Sequence, residues 1–383
     1  MSSSIPLSDR KLHAGMNDKN TQQTSSQQRL LSLDALRGLD MMCIIGLDAI
    51  VHALAPVFHG ASAMTTLATQ FRHCHWEGIH AYDLIFPLFL FISGISMAFS
   101  IRKMHQNGAS RKKASWHLIK RALILACLGI IVNGPLELPC SDWRFASVLG
   151  LIGIAGACAG LLALWVKKIP WLAGILAGIL VLIGCLQLNI GTLDREGSIN
   201  AIIDRAILPG SLHGGVMDPE GLLCIVSAIA VALGGYLVGN FLVNSSAKPG
   251  KKAWSLLGAG AICLIAGYAM HWSFYPAIKS IWSSSFDLIA SGWSLLAFAT
   301  AYFLFDILKW HKLAYPFKVV GMNALFIYLA QSLVNFNSIA NHLFIGIADI
   351  WPAMKWPILA LATFLIKWLI LAWMDKRKIS IKI

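Results

Sequence analysis

Residues 73–100 read HCHWEGIHAYDLIFPLFLFISGISMAFS. From Leu84 onward the stretch is apolar for about the 20 residues that a helix needs to cross a bilayer. Immediately before it stand three histidines, a glutamate and Asp83. Groups that exchange protons near neutral pH are costly beside hydrocarbon, so their concentration at the mouth of a membrane helix points to chemistry at a membrane face.

The rest of the chain repeats the apolar pattern. Of the 383 residues, 57% are hydrophobic and 13% charged, and the mean hydropathy is +0.67. Such a composition excludes a soluble domain of this length and predicts an all-α, polytopic helical bundle. Ten apolar segments fall at 36–56, 83–101, 116–134, 146–166, 170–189, 221–243, 253–271, 287–308, 317–336 and 356–374. Residues 1–30, rich in Ser, Gln and Asn and without a signal-peptide core, are expected to be a flexible tail preceding one transmembrane domain at 31–383. Arg102, Lys103, Arg111 to Lys113, Lys167, Lys168, Lys248, Lys251, Lys252, Lys309 and Lys312 all fall in alternate loops, which the positive-inside rule assigns to the cytosol with both termini. Topology thus explains most of the +13 net charge, and no soluble basic domain is present to hold nucleic acid.

The eight cysteines show no CxxC spacing, so neither a disulfide framework nor a zinc site is expected. Cys74 and Cys140 both fall on the non-cytosolic side, and their spacing does not decide whether they pair. In the first segment Asp34, Arg37 and Asp48 share a helical face at about 100° per residue, with Asp48 roughly 16 Å beyond Arg37. A polar stripe in a membrane helix lines a protein interior or a wet passage. Asp34 also suits a cap paired with Arg37. Asp83 suits a helix N-cap, and equally a carboxylate that fixes the tautomer of His73, His75 or His80. Further polar islands are INAIIDRAIL (199–208), DPEGLL (218–223), Lys279 with WSSSF (282–286), and GMNALFIY (321–328). Asp218 and Glu220 also read as helix punctuation. No P-loop, serine elbow or heptad repeat occurs.

Taken together, RLLSLDALRG (29–38), HCHWEG (73–78), DLIFP (83–87), Asp204-Arg205, DPEG (218–221), Lys279 with WSSSF, Gly292-Trp293, GMN (321–323), Tyr328 and the basic ending at 376–382 resemble the heparan-α-glucosaminide N-acetyltransferase family, in order, over most of 29–383. The resemblance implies transfer of acetyl from cytosolic acetyl-CoA to the amine of glucosamine or a related amino sugar across a bacterial inner membrane, with no metal. A homodimer is compatible with it. The family's active histidine precedes a tryptophan by three positions, which here is His73, and the matching carboxylate is Asp83. Asp48 stands where members typically carry asparagine, and Arg144-Phe-Ala-Ser147-Val-Leu-Gly150-Leu151 replaces a common Arg-x-x-Gly-Val-Leu-Gln-Arg.

On this reading His73, Asp83 and Asp48 are catalytic candidates, with His73 either a general base or an acetylated intermediate. Arg37, Arg102 and Lys103 are candidates for the CoA phosphates, and Asn323 for the thioester oxyanion. His75, Glu77, Asp218, Glu220 and Lys279 are candidates for the sugar. Two other classes remain open: an amino-sugar transporter, and an O-acetyltransferase of a cell-envelope glycan.

Overall fold

The computed structural model describes residues 30–58, 60–134 and 143–381. The expected tail before Leu30 and Cys140, with the open question of its pairing to Cys74, lie outside them.

The apolar runs fold into helices joined by short turns. Helix α1 (Leu31–Met42) continues through a π turn at Cys43–Leu47 into α2 (Asp48–Leu54), and α3 is Ser62–Gln70. A 3-10 turn at Ala81–Leu84 opens α4 (Ile85–Gln106). There follow α5 (Arg111–Asn133), α6 (Val148–Trp165), α7 (Ile169–Asn189), α8 (Ile199–Ile207), α9 (Leu222–Asn244), α10 (Pro249–Ser273) and α11 (Ser284–Ala301). Last come α12 (His311–Met322), α13 (Ala324–Leu333), α14 (Phe336–Asp349) and α15 (Lys355–Lys376). Among the described residues, extended pairing is confined to isolated bridges.

Among the described residues, eight helices are long and apolar enough to cross a membrane, and a ninth span arises if α12 and α13, bent by 56°, count as one. The chain is a polytopic helical bundle. The expected straight helix at 317–336 is thus a bent pair broken at Asn323, and the expected loop at 337–355 contains α14. The tenth expected span is the α1–α2 run, which carries Asp34, Arg37, Asp40 and Asp48 and is broken by the π turn. Its π turn interrupts the single polar face expected from regular spacing, so that Arg37 and Asp48 line different cavities. Wide helical turns of this kind recur at functional sites.

Helices α4, α6, α9 and α11 form the buried centre, whereas α5, α7 and α10 are mostly exposed, as lipid-facing helices must be. The centre packs Leu90, Phe91, Ile92, Ile95, Val231, Phe286 and Phe298. A second cluster, Met41, Ile45, Val319, Ile327 and Leu371, holds α1 against α12, α13 and α15. Small residues let backbones approach where no hydrophobic drive separates helix from lipid. A Cβ on Gly38 would stand 1.7 Å from the Phe317 carbonyl oxygen, and one on Gly321 would stand 1.9 Å from that of Asp34.

The Gly321→Ala protein should therefore lose on the order of 2–3 kcal/mol or fail to accumulate. Gly346→Ala, with open space around its Cβ, should melt at or above the wild-type temperature in detergent. Equal melting of the two variants would contradict the α1–α12 contact.

Candidate active site

The site is assembled at the N-terminal end of α4 by one buried carboxylate. Asp83 has no side-chain exposure, and its two oxygens serve different segments. Oδ2 accepts the backbone N–H of Cys74 at 3.1 Å and of His80 at 3.0 Å, drawing both ends of the histidine loop onto one group. Oδ1 faces His73 Nδ1 at 2.8 Å and Lys279 Nζ at 3.2 Å. Asp83 is therefore not the N-cap itself. It sits within the first turn and reaches back to the loop, and the histidine it orients is His73.

Lys279 arrives through backbone pairing. Glu77 bridges to Ile278, and Gly78 N–H donates to the Ala277 carbonyl at 2.9 Å. The pairing leaves Lys279 Nζ 2.8 Å from His73 Nδ1. An ammonium only donates, so Nδ1 either accepts from Lys279 or donates its own proton to Asp83. In the second arrangement Nε2 is left basic, and the half-exposed ring presents it outward. Burial lowers the Lys279 pKa below its usual value, against the pull of Asp83.

A second polar line meets the same ring. The Tyr82 ring lies 4.9 Å from that of His73, and its hydroxyl donates to Asp48 Oδ2 at 3.2 Å. Tyr82 was not singled out in the sequence, where a tyrosine beside a membrane helix reads as an interface anchor. His80 Nδ1 pairs with the Arg72 carbonyl. His75 and the Glu77 side chain are exposed and make no hydrogen bond to the described residues.

Asp218 and Glu220 converge on Arg144. The guanidinium donates from Nε and Nη2 to the two Asp218 oxygens, each at 2.7 Å, and from Nη2 to Glu220. Asp204 caps α9 by accepting from Leu222 N–H at 3.0 Å, so close to Gly221 that any Cβ there would overlap it. Asp218 is thus committed to a structural clamp, with its pKa held below the usual range because the Arg144 hydrogen bonds outweigh burial. Burial pushes Glu220 up to about 7, Asp218 adding to the rise and Arg144 opposing it.

Along the middle of α4 lies a cavity of about 320 Å³, lined among others by Arg37, Ser93, Ser96, His117, Arg121 and Ile381. Arg37 bonds Ser96 Oγ at 3.1 Å and Asp34 at 3.4 Å, so the expected Asp34–Arg37 pair is present. The other three residues predicted for the cosubstrate are placed differently. Arg102 donates to the Val243 carbonyl at the end of α9, Lys103 is exposed, and the Asn323 amide is occupied by Ile379 O and Ile381 N–H. His117 and Arg121 were missed, although a histidine and an arginine four residues apart in an apolar segment were a visible signal.

Because Glu220 binds its proton more tightly folded than at its ordinary 4.5, it favours the fold at low pH and loses that contribution as pH rises through about 7. Between pH 5 and 8 the wild-type melting temperature should carry a downward component that Glu220→Gln removes. Parallel wild-type and variant curves would show that Glu220 is ionised throughout.

No protein-family model matches the chain. It is 25% identical over 373 residues to heparan-alpha-glucosaminide N-acetyltransferase of Mus musculus, covering 81% of this chain and 54% of that protein. To the same-named protein of Homo sapiens it is 24% identical over 366 residues, covering 80% of this chain and 53% of the relative. The chain spans about half the length of these curated relatives. With the order of motifs along the chain, this places the similarity over about four fifths of its length: the chain is similar to heparan-alpha-glucosaminide N-acetyltransferases.

Proposed function

We propose that this protein is a transmembrane acetyltransferase that carries acetyl from acetyl-CoA, bound at the Arg37–Arg121 end, to the amine of glucosamine or a related amino sugar arriving at the His73 end. The observation that carries the reading is the exposed His73 ring held by a buried carboxylate at the head of α4, with a cation-lined cavity along the middle of the same helix. The positive-inside distribution supports a cytosolic basic end in a bacterial inner membrane, with residues 31–383 acting as one domain.

From Ser93 to Asp83 is about 15 Å along α4 at 1.5 Å per residue, a reach that the extended pantetheine arm covers. Arg37 and Arg121 take the phosphates, where charge-assisted hydrogen bonds are strongest. The acceptor amine gives its proton to His73 Nε2 as its nitrogen attacks the thioester carbonyl. The tetrahedral carbon then expels the thiolate, which takes the proton back from the His73 imidazolium to leave as free CoA, and the amide is released. Asp83 keeps His73 in the basic tautomer and stabilises the imidazolium that forms. Because the Asn323 amide is engaged by the C-terminal backbone, a backbone N–H of the histidine loop is the better oxyanion donor.

Acetyl transfer from labelled acetyl-CoA to glucosamine by the purified protein tests this directly. His73→Ala should lower kcat by roughly 10²- to 10⁴-fold in a folded protein, the usual worth of a general base. Arg121→Ala should instead raise KM for acetyl-CoA about tenfold, the loss of one charge-assisted contact. Absence of transfer, with wild-type liposomes accumulating unmodified glucosamine, would replace the enzyme by a transporter. Acetyl found on a hydroxyl would replace the amine acceptor.

A further inference from the structure

A third polar region remains outside the steps above. A cavity of about 780 Å³ lies between the α1–α2 run, α14 and α15. Asp48, Asn335, Asn337, Asn341, Trp356 and Lys367 are in its wall. The volume falls within the range of small-molecule sites. One lining residue links it by contact to the candidate active site: Asp48 receives the Tyr82 hydroxyl, and the Tyr82 ring flanks His73.

Depth makes the lining informative. Lys367 is about 18 Å along α15 from Lys355 and about 14 Å from Lys376, which puts it near the middle of a membrane span. Its ammonium is 8% exposed as a residue and donates to the Ile45 carbonyl inside the π turn at 2.7 Å, to Gln331 Oε1 at 3.4 Å, and lies 5.6 Å above the Phe336 ring. Asn337 and Asn341, one turn apart on α14, are exposed about 100° around the helix from the buried Phe336 and Ala340. Carboxamides and charged groups at this depth are sustained by polar contents, not by acyl chains.

We propose that this cavity holds the acceptor, a small polyhydroxylated amine of the hexosamine class, with its ammonium on Asp48, before the amine reaches His73. The inference rests on His73 being the acceptor-side base. A carboxylate answers the ammonium, amides both donate to and accept from hydroxyls, and the exposed Trp356 offers an aromatic face at the rim. Lys367 has one N–H beyond its two present partners for a sugar oxygen.

Thiol labelling of Asn341→Cys tests the assignment without any acetyl transfer. A membrane-impermeant methanethiosulfonate should modify the new cysteine, read as a mass shift on the peptide carrying residue 341. Glucosamine at about ten times its Kd should slow that modification roughly tenfold, since only the empty fraction reacts. Glucose at the same concentration should protect less, and Asp48→Asn should abolish the difference between the two sugars. An unlabelled cysteine, or labelling indifferent to glucosamine, would overturn the cavity assignment. Equal protection by glucose in the wild-type background would overturn the role of Asp48. Protection without acetyl transfer would preserve the cavity and remove the enzyme, whereas transfer without protection would do the reverse.

Discussion

The arrangement depends on the burial of one charge. Taking a carboxylate out of water is tolerable only when it is paired and hydrogen-bonded. Asp83 meets that demand with donors from three directions: the backbone at Cys74 and His80, the His73 ring, and Lys279. Because the donors come from the loop before α4 and from the segment between α10 and α11, satisfying Asp83 also closes the loop end of the bundle. His73 is left with one nitrogen tied and the other facing outward. The histidine loop is held by the same carboxylate that orients the His73 ring.

The bilayer imposes the second constraint, since every polar group at depth must find protein, water or ligand. Arg37 and Arg121, on α1 and α5, line one cavity, and Asp48 and Lys367, on α2 and α15, line another. The clamp of Arg144 on Asp218 and Glu220 anchors the loops before α6 and α9 around the His73 side.

What was legible in the sequence follows from locality. Membrane spans are local, so long apolar runs located most helices. His73 and Asp83 are ten positions apart, and their pairing was one of a few local possibilities. Lys279 is 206 positions from His73, and only the bridge between Glu77 and Ile278 brings it there, so no spacing revealed it. The π turn and the break at Asn323 are changes of helical register that propensities do not mark. Helix α14 escaped because its asparagines read as a loop, and the same asparagines form the wall of the largest cavity described. Arg102 and Asn323 were plausible cosubstrate residues by type, but their hydrogen bonds go to backbone carbonyls and amides that a sequence does not locate. Lys367 was the clearest signal left unused, a lone cation within the apolar run FLIKWLIL.

The central claim is that acetyl donor and amine acceptor approach from opposite ends of the bundle and meet at His73. Sealed proteoliposomes of uniform orientation, loaded with acetyl-CoA on the basic side and supplied with glucosamine on the His73 side, test it most directly. The account predicts N-acetylglucosamine only when the two substrates are separated in this way, with the product appearing on the His73 side. Product formed when both substrates are confined to one side, and none when they are separated, would contradict it.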